Sequence, residues 1–476
     1  MHILFNIFPT VHPHKRWSEA SLYSRLLPVW LGLGSIALGV AIAYILVSFS
    51  PILAIIAVLA VPAGIILVSR PQRGLLLVVF AISFEELSNF GPGISILKLL
   101  SIVVFGGAVI HFLIFRRRES LVSAPQNWLL LFFIVAVLLS NFVAIDPGRT
   151  LNATGRLLRV LTLYLIVINL IRTTRALRYL LWVFVISGFI SAFWGLVDPA
   201  QAGQRLYGTM GQPNNFAIAM AACLPLTLGL LNLEKGSLKR LFLVIMLAVI
   251  AYGLILSGSR GGLISALLAL FLFVLTQKNK IFWVTLVGFI AVIGLLIMPA
   301  EIKQRVGLAP SPSDPEMGNS TERRETYQIF GLKLWQENPV LGVGFDGFAE
   351  AYTRSEYRFL QKNATKRVAH NTYLEILTGT GLVGFIPFIA LLALSLYKTW
   401  RYAGYRKLHP DAATISAGIF AAQAAYFTGL LFGSRQYEQT LWLLIALGVV
   451  IQVLINAAAR QQSPASNSPS LRPIRR

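Results

Sequence analysis

The segment Leu241–Thr276 consists of two apolar runs, LFLVIMLAVIAYGLILS (241–257) and GLISALLALFLFVLT (262–276), joined by GSRG (258–261). Runs of about this length can cross the hydrocarbon core of a bilayer, which is roughly 30 Å thick, as helices. Because so few residues join them, the two helices must form a tight antiparallel hairpin. The segment therefore predicts a helical membrane protein.

Similar apolar runs recur along nearly the whole chain of 476 residues, of which 56% are hydrophobic and only 13% charged. A soluble domain of this length carries about twice that charged fraction. We therefore predict an all-α fold, a polytopic transmembrane helical bundle of about 12–14 spans. The upper number includes a short third run and a fourth run that contains Lys98. The candidate spans lie near residues 28–48, 51–69, 74–88, 96–115, 128–145, 157–171, 179–197, 216–232, 241–257, 262–276, 281–298, 374–397, 412–432 and 440–457.

Lysine and arginine are concentrated in alternate connections between these spans. The positive-inside rule makes that side cytoplasmic and places both termini there. The opposite side, predicted to face the periplasm, holds the connections near 146–156, 198–215, 258–261, 299–373 and 433–439. The cytoplasmic clusters include Arg70 and Arg73, Arg116–Arg118, Arg172, Arg175 and Arg178, Lys235, Lys239 and Arg240, Lys278 and Lys280, and Lys398, Arg401, Arg406 and Lys407.

This topology divides the chain into five segments. The first apolar run follows polar and basic residues without a cleavable signal pattern, which is typical of a signal anchor. The long periplasmic loop is predicted to be partly helical, since residues 319–335 can form a helix capped by Ser320 or Thr321. The Ser-, Pro- and Arg-rich tail is predicted to be disordered. The segments are a cytoplasmic N-terminal segment (1–27), the first part of the bundle (28–298), the periplasmic loop (299–373), the last spans (374–457) and the cytoplasmic tail (458–476).

Composition and motifs argue against several classes of function. The net charge of +22 is spread over many short loops and forms no patch on a soluble domain, so we expect no nucleic-acid partner. The single cysteine, Cys223, rules out an internal disulfide and argues against a cysteine-based metal site. The sequence has no Walker motif, no metal-ligand spacing and no plausible nucleophilic triad. We therefore expect neither a metal nor a cofactor.

Arg260 is the cation whose position is most unusual. It lies between two spans, beside Gly261 and Gly262, with almost no loop to carry it into bulk water. A charge at that depth needs an anionic partner or a function, and the glycines permit close approach of a phosphate to the backbone. The alternative is an interfacial arginine whose side chain reaches the lipid headgroups.

Two further polar segments are predicted on the same side. Arg323 and Arg324 can bind an anion, or they can form a solvated helix face paired with neighbouring glutamates. The segment with Arg205, Asn214 and Asn215 can contribute to a site, or it can be only a turn rich in Gly, Pro and Asn.

The stretch HNTYLEIL (370–377) follows the long loop and begins with His370, the only histidine that the topology places on the external side. An imidazole can accept a proton near neutral pH, and the alternative is a residue that caps or anchors the next helix. Arginines recognise phosphate bidentately. One histidine and several arginines on one face therefore suit transfer of a group from a lipid-linked pyrophosphate to an acceptor hydroxyl.

The order SRGG (259–262), then Arg324 before ENPVLGVG (337–344), then HNTYLEIL with trailing glycines resembles the O-antigen ligase and Wzy-type polymerase family. The resemblance covers roughly residues 200–435. It implies a glycosyltransferase of the bacterial inner membrane that needs no metal. The glycan would pass from undecaprenyl pyrophosphate to lipid A-core or another glycan acceptor, with inversion at the anomeric carbon.

The resemblance also implies a role for each polar residue. His370 would activate the acceptor hydroxyl as general base, and Arg260 and Arg324 would bind the pyrophosphate and stabilise charge on the leaving group. Since Arg323 and Arg324 are adjacent, Arg323 can replace Arg324 in this role. The residues expected to bind substrate are Arg205, Asn214, Asn215, Arg323, Asn371 and Tyr373.

Other functions are compatible with the same sequence. A Wzy-type polymerase or a protein O-oligosaccharyltransferase would use the same chemistry with another acceptor. The family also contains proteins described as bicarbonate transporters, which should carry ionisable residues at mid-membrane on discontinuous helices. Few charges fall at mid-span in this chain, with Lys98 the exception. A structural or regulatory membrane component is a further alternative.

Overall fold

The computed structural model describes residues 70–86, 89–91, 94–115, 121–201, 203, 205–308, 315–360, 368–406 and 409–462, together with Gly34. This part of the chain is almost entirely helical, which confirms the predicted all-α fold. The predicted spans at 51–69 and, apart from Gly34, at 28–48 lie outside the described residues, as does most of the tail predicted to be disordered.

The described residues form fifteen α-helices and one antiparallel pair of very short strands, β1 (Asn89–Gly91) and β2 (Ile94–Ser95). The helices are α1 (Pro71–Ala81), α2 (Ile96–Phe115), α3 (Pro125–Ser140), α4 (Pro147–Leu170), α5 (Thr174–Val197), α6 (Pro213–Leu233), α7 (Ser237–Leu256), α8 (Arg260–Thr276), α9 (Lys280–Ile297), α10 (Ala300–Val306), α11 (Pro315–Glu337), α12 (Phe348–Arg354), α13 (Thr372–Ala403), α14 (Pro410–Gly429) and α15 (Gln439–Gln462). Single turns of 3₁₀-helix occupy Ile82–Phe84, Asn141–Val143, Pro199–Gln201, Glu356–Leu360 and Leu430–Phe432.

Eight of the described helices, α3 to α7 and α13 to α15, are long and apolar enough to cross a membrane. The span that begins with α3 includes the 3₁₀ turn that follows it and runs over Pro125–Val143. A ninth span would consist of α9 with the bent extension α10, while α1, α8 and the part of α2 over Leu97–Phe112 are apolar but shorter. These twelve elements coincide with the twelve predicted spans that lie within the described residues. The number of spans predicted there therefore agrees with the number of apolar helices, although three of the helices are short for a full crossing.

α6 and α14 form the centre of the bundle, because most of their residues are buried. The two helices approach closely at Gly229 and Gly418, where a Cβ added to Gly229 would lie 3.5 Å from the Cα of Gly418. Small residues allow such an approach, and close packing is what holds helices together in lipid. The first turn of α6, which carries Asn214, is thereby fixed in the middle of one end of the bundle.

α13 is broken at Gly381, whose backbone is non-helical (φ 58°, ψ −162°). The segment 338–347 fills the break. The amide of Val343 donates to the carbonyl of Thr378 at 2.9 Å, and the amide of Leu382 donates to the carbonyl of Pro339 at 2.9 Å. The backbone groups freed by the break therefore have partners, as irregular backbone at membrane depth requires.

One predicted connection is wrong and one predicted element is confirmed. Residues 146–156 were expected to form an external loop, but α4 begins at Pro147, and Asp146 caps it by accepting from the amide of Arg149 at 2.9 Å. An N-cap aspartate followed by proline is a strong start signal, and it extends the helix through polar residues that hydropathy alone excludes. The helix predicted at 319–335 in the long loop lies within α11.

Candidate functional site

The connection between α7 and α8 is a tight turn at one end of the bundle. Gly258 adopts a left-handed conformation (φ 57°), and the hydroxyl of Ser259 caps α8 by accepting an amide hydrogen bond at 3.4 Å. Arg260, the first residue of α8, is exposed. A Cβ added to Gly261 would lie 2.5 Å from the Cγ of Phe432, so glycine is needed for α8 to pack against the end of α14. The turn therefore presents Arg260 from a closely packed base.

Arg205 is fixed against this turn by two hydrogen bonds. Its Nε donates to the carbonyl of Ser257 at 2.8 Å, and its Nη2 donates to Oδ1 of Asn214 at 2.9 Å. The same oxygen of Asn214 accepts a hydrogen bond from the hydroxyl of Ser259 at 2.9 Å. Asn214 therefore joins the loop that carries Arg205 to the turn that carries Arg260.

Arg305, on α10 in the long loop, reaches the same turn. A Cβ added to Gly258 would lie 3.0 Å from Cδ of Arg305 and 3.7 Å from Nε of Arg205. Burial, with the charges of Arg305 and Arg324, lowers the pKa of Arg205 to about 10. Burial, with the charge of Arg260, lowers the pKa of Arg324. Arg205 therefore lies close enough to Arg305 and Arg324, and Arg324 close enough to Arg260, for their charges to repel. We call these four residues the arginine cluster.

Three members of the arginine cluster carry a positive charge that no nearby carboxylate in the described part of the chain neutralises. Within the described ranges, Arg205, Arg305 and Arg324 form no ion pair with a carboxylate. Like charges brought together disfavour their own charged forms, and a bound anion removes that penalty. A phosphate or pyrophosphate group has the charge and the planar oxygen pairs that guanidinium groups bind.

Four of the predicted site residues thus come together from separate segments of the chain: Arg205, Asn214, Arg260 and Arg324. Arg305 was not singled out from the sequence, because it lies among acidic and basic neighbours in AEIKQRV (300–306) and carries no local signal. Only its approach to Gly258 in the folded chain identifies it. The side chain of Arg323 lies outside the described residues, so the choice between Arg323 and Arg324 rests on the position of Arg324 alone.

His370 lies in the turn that precedes α13. Its φ of 52° is left-handed, which is uncommon for a residue other than glycine. Asn371 caps α13, because its Oδ1 accepts from the amides two and three residues later at 3.0 and 3.3 Å. The buried carboxylate of Glu375 accepts from the amide of Ala369 at 2.7 Å. Asn371, which caps α13, and Glu375, on α13, therefore hold the backbone on both sides of His370.

The segment 433–438 locks this turn from the other side. The hydroxyl of Ser434 donates to Glu375 at 2.9 Å, and the hydroxyl of Thr372 accepts from the amide of Arg435 at 2.9 Å. Arg435 is only 2% exposed, and its Nε and Nη2 have no hydrogen-bond partner among the described residues. Arg435 was not singled out from the sequence, and it places a buried cation beside the start of α13.

Tyr327 links His370 to the arginine cluster. The ring centroids of Tyr327 and His370 are 6.1 Å apart, with the planes inclined by 35°. Tyr327 follows Arg324 by three residues on α11, so both side chains lie on the same face of that helix. Tyr327 also packs against Tyr352 in the aromatic core beneath α11, with the ring centroids 5.2 Å apart. This core keeps the face in place.

Asn215 and Tyr373 have other partners in the structure. Nδ2 of Asn215 lies 3.4 Å from Oε1 of Glu438. The hydroxyl of Tyr373 donates to the carbonyl of Phe427 at 2.8 Å, and its ring packs beside Phe388. Tyr373 thus connects α13 to α14, and its contact with substrate, like that of Asn215 and Asn371, stays a prediction.

Asp346 forms a second charged group, in which one carboxylate is paired with two arginines. Its Oδ2 lies 3.2 Å from Nε of Arg149 and 2.9 Å from Nη2 of Arg156, both on α4. The guanidinium of Arg156 also lies 4.4 Å from the ring centroid of Tyr437. These two arginines tie the segment that fills the break in α13 to α4, so they are positioned for structure. Arg205, Arg305 and Arg324 have no such carboxylate partner among the described residues.

Comparison with known proteins gives one family match and one relative. Residues 216–389 match the family described as O-Antigen ligase. The matched region begins in α6 and ends in α13, and it contains Arg260, Arg305, Arg324 and His370. A protein of Haemophilus influenzae described as uncharacterized is 24% identical over 318 residues, which cover 62% of this chain and 78% of that protein. The matched region thus encloses most of the site, while Arg205 and Asn214 lie just before it.

Proposed function

We propose that this chain, which carries an O-antigen ligase family domain at residues 216–389, transfers a glycan from undecaprenyl pyrophosphate to an acceptor hydroxyl such as one of lipid A-core. The observation that carries the proposal is the arginine cluster, joined to His370 through one turn of α11. The cluster has the charge to bind a diphosphate, and the imidazole can accept a proton. Both lie at the end of the bundle that the positive-inside rule assigns to the periplasm.

The arginine cluster binds the diphosphate of the donor. Arg205 is held by Ser257 and Asn214 before substrate arrives, so its guanidinium needs little reorganisation. Arg260 extends from the exposed start of α8, while Arg324 and Arg305 approach from the long loop. Donors fixed in advance around a developing charge stabilise a transition state more than mobile ones do.

His370 accepts the proton of the acceptor hydroxyl as the hydroxyl oxygen attacks the anomeric carbon. The new carbon–oxygen bond forms while the bond from that carbon to the diphosphate oxygen breaks. The electron pair of the broken bond leaves with undecaprenyl pyrophosphate, whose added negative charge the arginine cluster stabilises. Attack from the side opposite the leaving group inverts the anomeric centre, and the imidazolium then returns its proton to water.

The acceptor determines which member of the reaction class this protein is. A hydroxyl of lipid A-core makes it a ligase. A hydroxyl on a second lipid-linked glycan makes it a polymerase, and one on a protein makes it a protein glycosyltransferase. The same base and the same cluster serve all three reactions, so the acceptor has to be established by experiment.

A bicarbonate transporter is the alternative from a different class. Transporters bind their substrates at discontinuous helices that line a cavity. The break in α13 is instead filled by residues 338–347, including the buried Val343 and Phe345. Asp346, the ionisable residue of that segment, is paired with Arg149 and Arg156 of α4. These contacts favour glycosyl transfer over transport.

The test is transfer by purified protein supplied with an undecaprenyl-pyrophosphate-linked glycan and lipid A-core, with the product identified by mass spectrometry. We expect His370→Asn to abolish transfer, and His370→Ala to do the same. Asparagine tolerates the left-handed backbone of this position, so the substitution removes the base and spares the turn. The control is His409→Ala, at the opposite end of the bundle from His370, which should transfer normally.

Elongation of the glycan on the donor lipid would identify a polymerase and retain the mechanism. Transfer by His370→Asn at the wild-type rate would remove His370 as the base. Absence of transfer with every acceptor, together with solute uptake by proteoliposomes that does not depend on His370, would contradict the proposed function.

A further inference from the structure

A cavity of about 440 Å³ opens at the end of the bundle opposite the arginine cluster. It lies between the first turns of α5, α7 and α14 and the last turn of α6. α5 has 24 residues and leads from this cavity to the loop that contains Arg205. At about 1.5 Å per residue, that helix separates the two sites by roughly 36 Å. The cavity is therefore distinct from the proposed catalytic site.

Three basic side chains line the cavity: Arg175, Arg178 and Lys239. Glu234 neutralises only part of their charge. Its Oε1 lies 2.6 Å from Nη2 of Arg178 and accepts from the indole nitrogen of Trp182 at 3.0 Å. Burial raises the pKa of Glu234, but these hydrogen bonds outweigh it and leave the pKa below its ordinary value. Glu234 is therefore an ionised carboxylate already satisfied by Arg178 and Trp182.

Arg175 and Lys239 keep their charges available to a ligand. Among the described residues the guanidinium of Arg175 forms no ion pair, and its Nε lies 3.3 Å from the hydroxyl of Tyr179. Nζ of Lys239 is 3.7 Å from Glu234, and its side chain is 67% exposed. Asp411 is the other carboxylate in the lining, so three cations face two anions. The cavity thus has a net positive charge even before the helix ends are considered.

The helix ends add to this positive potential. α5, α7 and α14 all begin at the cavity, and the N-terminal end of a helix carries unsatisfied amides and partial positive charge. The capping residues of α7 and α14, Gly236 and His409, provide no side-chain hydrogen bond to those amides. An anion in the cavity can therefore interact with side chains and with the field of three helices.

The rest of the lining is apolar or aromatic. Leu233 and Ile415 contribute aliphatic surface, and Tyr179 and Trp182 contribute aromatic surface. Tyrosine and tryptophan are enriched where a membrane protein meets the headgroup region, and basic pockets between helices on the cytoplasmic side bind anionic headgroups. We propose that this cavity binds the phosphate group of an anionic phospholipid in the leaflet opposite the catalytic site. A soluble phosphate ester has the same charged group but cannot use the apolar lining.

The test measures the thermal unfolding midpoint of the purified full-length protein in nanodiscs. We expect discs that contain phosphatidylglycerol to raise the midpoint relative to discs of phosphatidylcholine, and native mass spectrometry to detect retained phosphatidylglycerol. The double variant Arg175→Ala/Lys239→Ala should lose at least half of the rise. The matched control is Lys278→Ala/Lys280→Ala, which removes two exposed lysines from the same end of the bundle and should behave as wild type.

Two further measurements distinguish a phospholipid from a soluble phosphate ester and test whether the cavity is the binding site. If glycerol phosphate added to phosphatidylcholine discs reproduces the rise in wild type and not in the double variant, the site binds a soluble phosphate ester. The charge-conserving variant Arg175→Lys/Lys239→Arg should retain most of the rise, which guards against a misfolded double variant. An equal rise in wild type and in Arg175→Ala/Lys239→Ala, or no rise with either ligand, would overturn the proposal.

Discussion

The ring of Tyr327 lies 6.1 Å from the ring of His370, and Tyr327 follows Arg324 by one turn of α11. A single helical turn therefore carries both a phosphate ligand proposed for the donor and the side chain against which the proposed base packs. A movement of α11 displaces Arg324 and Tyr327 together. The arrangement therefore couples the proposed binding of the donor diphosphate to the position of the proposed base.

The contact between these rings predicts different effects for two substitutions of Tyr327. Tyr327→Phe keeps the ring beside His370 and should retain most of the transfer rate. Tyr327→Leu removes the ring and should lower kcat by about tenfold or more, since small misplacement of a catalytic group is costly. The measurement is kcat and KM for the donor in both variants. Equal rates for the two variants would show that the ring does not position His370.

Arg260 should not be replaceable by lysine. The ammonium of Arg260→Lys keeps the charge but loses the planar pair of donors that matches two phosphate oxygens. We expect a fall in kcat/KM for the donor of about 10²-fold, as when one fixed donor to a developing oxyanion is removed. Arg354→Lys, an exposed arginine paired with Glu350 on α12, is the matched control and should have normal activity. Wild-type activity in Arg260→Lys would exclude bidentate binding by this residue.

Because the pKa of Arg205 is low, we expect the affinity for diphosphate to depend on pH in the alkaline range. Its pKa is about 10 instead of 12.5, because of burial and the charges of Arg305 and Arg324. A bound diphosphate raises this pKa, so binding at pH above about 10 requires uptake of a proton and weakens as the pH rises. Below about pH 10, Arg205 is charged in both states and contributes no pH dependence.

Titration calorimetry with inorganic pyrophosphate measures this effect. The measurements run from about pH 8 to about pH 10.5, so that they pass through the pKa of Arg205. Arg205→Gln is the control, since the ionisation of the ligand acts on both proteins alike. The difference in affinity between wild type and Arg205→Gln should shrink as the pH passes about 10. A difference that is constant over the whole range would mean that Arg205 keeps its proton throughout.

The membrane-spanning elements could be predicted from sequence, because the length of an apolar run decides whether a helix crosses a bilayer. Every predicted span within the described residues coincides with a helix. The start of α4 was predicted wrongly because its first turns are polar. Those turns are stabilised by contacts such as Arg156 with Asp346, 190 residues further along the chain. No local pattern encodes a contact of that kind.

Only part of the candidate site could be predicted from the sequence. Arg260 and His370 stand out because charged residues and external imidazoles are rare at such positions. Arg305 and Arg435 do not stand out, since each becomes part of the site only when distant segments fold together. Arg305 meets Gly258 through the packing of α10, and Arg435 meets Thr372 through the segment after α14. The catalytic roles remain predictions for the experiments above.

Glu375 is expected to position His370 without touching substrate. Its carboxylate accepts from the amide of Ala369 at 2.7 Å and from the hydroxyl of Ser434 at 2.9 Å. Glu375→Ala leaves that amide buried without a partner, at a cost of about 1–3 kcal/mol, and loosens the left-handed turn at His370. We expect a lower kcat with an unchanged KM for the donor, and partial rescue by Glu375→Gln, which still offers an acceptor. A rise in KM with normal kcat would instead place Glu375 in donor binding.

The break in α13 should be intolerant of any side chain at Gly381. Its φ of 58° and ψ of −162° lie in a region that only glycine adopts readily. A Cβ there would also collide with the backbone of Val340. Gly381→Ala should therefore destabilise the protein by roughly 2–5 kcal/mol, seen as a lower unfolding midpoint in detergent. Gly288→Ala on α9 is the matched control, because its Cβ would meet no atom within 4 Å, and the change should be neutral or slightly stabilising. Equal midpoints for the two variants would mean that residues 338–347 do not pack into the break.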